Sequence, residues 1–338
     1  MPKRDIVVVG SSAGGIEALS VFVSVLPPDF PAALFITVHL APDHRSRLPE
    51  ILQRRSALPV AFAVDREKFQ PGRIYIAPRN HHLVLETKRV RTTQGAKENR
   101  FRPAIDVLFR SAALAHEARV IGVILTGALD DGSSGLYAIK SRSGLAVVQD
   151  PDEAQFPSMP LNAIKTVKVD HIVPVAAMGE LLVRLTSKPF KKPKRSPVSK
   201  QMESEVGIAL GDNGRMREIM ALGKFTPYTC PECHGALISL QEGRLTRFRC
   251  HTGHAYTLSH LMSELTQHTE NAIMNALRAV EETQLLMSDM QKQLRDNKKP
   301  EVAKLLETKL KQAEKRAALI KQAATENEVI SQDILEGV

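Results

Sequence analysis

Three separated segments hold the residue types needed to attack a carbonyl group. Gly10-Ser11-Ser12-Ala13-Gly14-Gly15 sets hydroxyls on a glycine-rich turn, His39 follows an apolar run, and Thr126-Gly127-Ala128-Leu129-Asp130-Asp131-Gly132 supplies carboxylates. A serine hydroxyl is a poor nucleophile until an imidazole takes its proton, and the imidazole needs a carboxylate to fix its tautomer and stabilise its cation. Taken singly, each segment has a plainer reading. The glycine turn is equally an anion-binding loop with capping serines, although its spacing is not GxGxxG and His39 stands where a dinucleotide fold usually has an acid. His39 alone reads as a structural histidine, and Asp130 or Asp131 alone as a helix N-cap.

A second group lies far along the chain. Cys230-Pro231-Glu232-Cys233 is followed by sixteen residues and then by Cys250-His251-Thr252-Gly253-His254. Zinc takes four tetrahedral N/S ligands, and a CxxC knuckle supplies two thiolates from one tight turn. Cys250 is the third ligand, and His254, at Cx₃H spacing, is preferred to His251 as the fourth. A redox CxxC would lack its βαβ setting and leave Cys250 and both histidines unexplained. The motif therefore predicts structural Zn²⁺ in a zinc-ribbon-like module, with 237–240 and 244–249 as a hairpin, and no cofactor for catalysis.

The elements that must position these groups are legible as periods. Residues 5 to about 185 alternate between short β-branched runs and helical patterns, the sequence form of an α/β fold. Strands are predicted at 6–9, 33–38, 73–77, 83–86, 120–125, 145–148 and 171–174. Helices are predicted at 15–25, 46–55, 103–116, 132–141, 159–166 and 176–186. The expected architecture is a doubly wound, mostly parallel sheet with helices on both faces. Ligands bind at the carboxyl ends of such strands, which puts serine, histidine and aspartate on one rim. Beyond the cysteines, two long amphipathic runs, 258–294 and 302–324, predict an antiparallel helical hairpin. The hairpin is suited to docking on a helical partner or to self-association, and Met262, Met274, Met287 and Met290 read as seam filling.

The chain has 338 residues, 43% apolar and 25% charged, so it can bury a sizeable core and is neither disordered nor collagenous. Of the net charge of +9, the stretch 187–200 contributes +6 from five Lys and one Arg, leaving 9 − 6 = +3 for the rest. That Pro/Lys-rich stretch reads as a solvated linker, and no aromatic clusters interleave the basic residues, so no nucleic-acid partner is expected. The predicted organisation is a catalytic domain over 1–186, a linker over 187–205, the zinc module over 206–256 and the hairpin over 257–338. An odd cysteine count, no signal segment and no bilayer-length apolar run predict a cytoplasmic protein without membrane insertion.

The GSSAGG turn with IEAL after it, HLAPDH, PGRIYIAPRNHHLVL, FRPAIDVLFRSAA and TGALDDGSSGL together resemble the catalytic domain of the CheB-type chemotaxis methylesterases, over roughly residues 4–186. The resemblance implies a Ser-His-Asp triad of Ser12, His39 and Asp131, leaving Ser11 and Asp130 as weaker candidates. It implies hydrolysis of glutamate γ-methyl esters on chemoreceptors, with deamidation of glutamine as a related activity. Backbone N–H groups around Ala13, Gly127 and Ala128 are the implied oxyanion donors. Ala13 and Ala128 depart from the family's threonine and methionine, which bears on substrate fit more than on the reaction. The family's N-terminal receiver domain has no place before residue 6, so activity is expected to be constitutive or governed by the C-terminal part or in trans. The competing reading is a non-catalytic adaptor on the same fold, assembling through the hairpin.

Overall fold

The first strand, β1 (Ile6–Ser11), is apolar on both faces, and its pleat divides the core in two. Ile6 and Val8 enter one cluster with Phe35, Phe109, Leu136 and Met159. Val7 and Val9 enter the other with Leu19, Phe22, Leu52 and Leu182. A strand buried on both faces needs helices on both, and the chain supplies them. In this computed structural model, which describes residues 2–39, 46–191, 198–297 and 300–326, the order continues with α1 (Gly15–Ser24), β2 (Ala33–Val38), α2 (Leu48–Gln53), β3 (Val60–Phe62), β4 (Ile74–Ile76), β5 (His82–Leu85), β6 (Val90–Thr93) and α3 (Ile105–His116). There follow β7 (Val120–Ile124), α4 (Ser133–Ser141), β8 (Leu145–Gln149), α5 (Ser158–Thr166), β9 (His171–Val173) and α6 (Met178–Ser187).

Seven strands form one sheet in the order β3-β4-β2-β1-β7-β8-β9, and every neighbouring pair is parallel. Helices α3, α4 and α5 cover one face, and α1, α2 and α6 the other. The predicted doubly wound α/β class is thus the observed one. Two details differ. The strand predicted at 83–86 does not join this sheet but pairs antiparallel with β6, which sequence periodicity did not reveal. Edge strand β3 also went unpredicted, because three half-buried residues are too few to show a period.

The following segment builds α7 (Lys200–Ala209), α8 (Asn213–Leu222), β10 (Lys224–Thr229), β11 (Ala236–Glu242), β12 (Leu245–Cys250) and β13 (Ala255–Thr257), the four strands forming an antiparallel sheet. Helix α7 starts inside the stretch predicted as linker, with the Ser199 hydroxyl accepting from Met202 N–H as N-cap. Residues 192–197 of that stretch, and the 40–44 part of the HLAPDH segment, lie outside the described residues.

A buried cluster of charges knits this second sheet to the first. Glu98 and Arg110 meet Glu205 of α7 and Arg247 and Arg249 of β12, and all five are at most 2% exposed. Arg249 Nη2 lies 2.7 Å from Glu98 Oε1, Arg247 Nη2 2.8 Å from Glu98 Oε2, and Arg247 Nη1 2.8 Å from Glu205 Oε1. Burial works against both glutamate charges, but Arg110 and the other arginines outweigh it and hold both carboxyls below their ordinary range. Accordingly, one compact unit ends at Leu261 and a second begins at Met262.

Helix α9 (Leu258–Asp296), whose first turn belongs to the first unit, and α10 (Pro300–Glu326) form the predicted hairpin. Lys321 Nζ pairs with Glu281 at 2.8 Å, and Gln291 donates to Ala303 O at 3.3 Å. Ala303, Ala313 and Ala317 are buried, whereas Leu285, Leu286, Leu305 and Leu319 are exposed. Among the described residues no helix is long and apolar enough to cross a membrane.

Candidate active site

Strand β1 lies between β2 and β7, all parallel, so the three carboxyl ends share one edge. The strand order reverses at β1, which opens a crevice there. Ser12 follows β1, His39 follows β2, and Asp131 stands on the loop after β7. His39 Nδ1 is 3.0 Å from Ser12 Oγ, and His39 Nε2 is 2.7 Å from Asp131 Oδ2. A carboxylate only accepts, so Nε2 carries the proton toward Asp131 and the Nδ1 lone pair faces the serine hydroxyl. The histidine side chain is 5% exposed and the aspartate 0%.

Asp131 is held by four donors. Its Oδ2 also accepts from Ile105 N–H at 2.8 Å, and its Oδ1 accepts from Asp106 N–H at 3.2 Å and Asn99 Nδ2 at 3.0 Å. The two amides belong to the first turn of α3, the positive end of the helix dipole. Burial would push the Asp131 carboxyl up, but the hydrogen bond and charge of His39 and the Ile105 N–H override it and hold the pKa at about 2. Nearby Asp106 goes the other way, pushed well above its ordinary value by burial and then by Asp131. The two carboxyls are thus driven apart, Asp131 being the more acidic.

The neighbours that sequence left as weaker candidates have other partners. Ser11 is fully buried and donates to Thr126 O at 3.0 Å. Asp130 Oδ1 lies 2.7 Å from both Thr257 Oγ1 and His260 Nδ1, residues contributed by β13 and α9. Of the three residues read as oxyanion donors, Gly127 has its N–H taken by Phe156 O at 3.0 Å. For the N–H groups of Ala13 and Ala128, no acceptor is found among the described residues. Gly127 matters for its lack of a side chain, because a Cβ there would lie 2.9 Å from Ser12 Cβ and 2.7 Å from Met159 Cε. Phe156, 41% exposed, lies against Gly14 and offers an apolar surface beside the serine turn.

Two residues of this site were not singled out from sequence. Phe101 stacks on the His39 ring with centroids 3.5 Å apart and planes 7° from parallel. Asn99 is the side-chain donor to Asp131 just described. No period or spacing marks either one, since both sit on a turn between the two small strands and α3.

The four predicted metal ligands come together at the other end of the second sheet. Donor atoms of Cys230, Cys233, Cys250 and His254 all lie within 4.8 Å of one another. His254 faces the cluster through Nδ1, 3.6 Å from both Cys230 Sγ and Cys250 Sγ, and Cys233 Sγ is 3.6 Å from Cys250 Sγ. A tetrahedron with Zn–S bonds near 2.3 Å has edges of about 3.8 Å, so the donor set and its spacing fit zinc. His251 is exposed and outside the group. Two tight knuckles set the ligands: His234 N–H donates to Cys230 O at 2.8 Å, and Cys250 N–H to His254 O at 3.0 Å. Tyr256 OH, 3.5 Å from Cys230 Sγ, and Thr252 Oγ1, 3.0 Å from Cys250 Sγ, stand around the sulfur atoms as outer partners.

Comparison with known proteins gives a consistent result. Residues 7–182, just over half of the chain, match the family described as CheB methylesterase. A relative from Leptospira interrogans is 38% identical over 182 residues, 54% of this chain and 94% of its own length. The protein-glutamate methylesterase/protein-glutamine glutaminase of Trichodesmium erythraeum is 37% identical over 186 residues, 54% of this chain, which spans 53% of that relative. The crystal structure of the Thermotoga maritima CheB methylesterase catalytic domain superposes with a TM-score of 0.53 at 32% identity, covering 54% of this chain and 100% of that one.

Proposed function

The chain belongs to the CheB methylesterase family, and from that premise we propose that it hydrolyses glutamate γ-methyl esters on a protein substrate, with Ser12 as nucleophile, His39 as general base and Asp131 as its orienting carboxylate. The observation that carries this reading is the continuous hydrogen-bonded line from Ser12 Oγ through both ring nitrogens of His39 to the ionised Asp131.

In the first step Ser12 Oγ attacks the γ-carbonyl carbon and its proton passes to His39 Nδ1. Asp131 stabilises the imidazolium through Nε2–H, and the Ala13 and Ala128 N–H groups, which have no acceptor among the described residues, would be the donors to the developing oxyanion. Collapse breaks the ester C–O bond, and the Nδ1 proton leaves with the alkoxide as methanol. Water then attacks the acyl-enzyme with His39 again as base, releasing glutamate and restoring Ser12. With glutamine as substrate, the same proton leaves with ammonia.

Phe156 gives the substrate an apolar surface beside the serine, which suits a glutamyl side chain displayed on a helix of a chemoreceptor. The Cys230, Cys233, Cys250 and His254 set would hold a structural zinc ion. Bound there, the metal would cross-link the two knuckles, with all four positions filled by the protein.

The test is methanol release from a methylated receptor fragment by the full chain. Wild type is expected to release methanol and Ser12→Ala to release none while remaining folded. The adaptor alternative predicts an inert wild type, which would overturn the proposal.

A further inference from the structure

The residues closest to the His39–Asp131 pair include a turn whose placement comes from the metal-site half of the molecule. Glu98 and Phe101 exchange backbone hydrogen bonds, Glu98 N–H to Phe101 O at 3.2 Å and Phe101 N–H to Glu98 O at 2.9 Å. Between them Asn99 and Arg100 both have positive φ, 52° and 73°. This is the two-residue turn of a tight hairpin, in which asparagine is favoured and arginine is not. Such a turn needs outside support, and β13 supplies it. Asn99 N–H donates to Ala255 O at 2.8 Å, Ala255 N–H to Lys97 O at 3.3 Å, and Thr257 N–H to Asn99 Oδ1 at 3.0 Å. The Glu98 carboxylate is anchored on Arg247 and Arg249 of β12.

The turn grips the pair from two sides. Phe101 covers one face of His39 and lies perpendicular to the His260 ring, with centroids 6.2 Å apart. The Asn99 amide is orientated without ambiguity, because its oxygen accepts from Thr257 N–H while its nitrogen donates to Asp131 Oδ1 and Asp106 Oδ2, each at 3.0 Å. Asn99 is fully buried, so bulk water does not compete for this bond. A second tie runs beside it, where Asp130, next in the chain to Asp131, is bonded to Thr257 and His260.

We propose that Asn99 is the positioning residue of the catalytic carboxylate, and that β13 of the cysteine-bearing sheet sets Asn99, so that this sheet is a structural part of the active site. The inference rests on the triad reading given above. Asn99 touches neither substrate nor reacting atom. With the Asp106 N–H it holds Asp131 Oδ1, and a carboxylate that loses one of these two donors keeps its Oδ2 aligned on His39 less strictly, so that the imidazole is presented to Ser12 less often.

The experiment uses the full chain with Asn99→Gly, which keeps the left-handed turn and removes the donor. Asn99→Asp, which keeps the shape and the bond from Thr257 but not the donation, is read if the first variant fails to fold. Competent sites are counted by titration with a serine-reactive phosphonate, and turnover on methylated receptor fragment is expressed per titrated site. We expect kcat per site to fall about tenfold to a hundredfold with KM changed by no more than about twofold. A purely structural asparagine would lower the number of titrated sites and leave kcat per site unchanged, and that result would overturn the inference alone. An inert wild type would overturn the triad reading and this inference with it.

Discussion

The carboxylates of Asp130 and Asp131, adjacent in the chain, diverge to two different histidines: Asp131 Oδ2 holds His39 Nε2 at 2.7 Å, and Asp130 Oδ1 holds His260 Nδ1 at 2.7 Å. The first pair faces a serine hydroxyl, and the second joins the loop after β7 to the start of α9. Asp131→Asn is expected to lower kcat by about 10⁴, because the amide favours the wrong imidazole tautomer. Asp130→Asn is expected to act on stability instead, by about 1–3 kcal/mol, with a far smaller effect on turnover. Steady-state kinetics and denaturant titration of both variants check this, and equal kcat losses would contradict it.

The buried charges between the two sheets should behave as one unit. Glu98 neutralises parts of Arg110, Arg247 and Arg249, all nearly inaccessible to water. Glu98→Ala leaves three buried guanidinium groups with Glu205 and the partly buried Glu242, and is expected to cost about 3–5 kcal/mol. Urea denaturation measures it, and a loss below about 1 kcal/mol would show that the cluster is solvated.

Stability should fall on mild acidification through His116. Burial first, then the Arg119 charge, hold its imidazole at about 4 against an ordinary 6.5. The folded value is the lower one, so the unfolded chain takes up the extra proton. The contribution is full above pH 6.5 and is lost as pH falls toward 4, amounting to about 2 kcal/mol by pH 5. Buried His82, also lowered, acts in the same direction. Denaturant titrations at pH 7 and pH 5 should show a shallower pH dependence for His116→Gln than for wild type. An unchanged slope would contradict the assignment.

Metal analysis of the purified chain should find about one zinc per chain, and Cys250→Ser should lose it together with thermal stability. Because β12 carries both Cys250 and the arginines that bind Glu98, metal loss is expected to lower the melting temperature of the whole first unit. A metal-free chain with an unchanged melting temperature would contradict this.

Much of the fold was legible in the sequence because buried parallel strands such as β1 and β2 are unbroken apolar runs with few alternative readings. The rim carrying Ser12, His39 and Asp131 was legible for the same reason, since each follows a strand that could be placed. What was hidden is the joint between the two sheets. Glu98, Arg110, Glu205, Arg247 and Arg249 carry charge, and charge in a sequence reads as surface unless its partners, here up to 151 positions away, are known. The basic stretch 187–200 marked a break in composition, yet the chain beyond it returns through Thr257 and Asn99 to the His39–Asp131 pair. Pairing at that range leaves no local period, so nothing periodic marked Asn99 or Phe101, although Phe101 opens the FRPAIDVLFRSAA segment.

The central claim is that Ser12 is the nucleophile and His39 its base. Labelling the full chain with a serine-reactive phosphonate, followed by peptide mapping by mass spectrometry, tests it most directly. One adduct on Ser12, none on Ser11, and labelling slowed strongly in His39→Ala is the predicted result. No adduct, or an adduct on Ser12 that forms equally fast without His39, would contradict it.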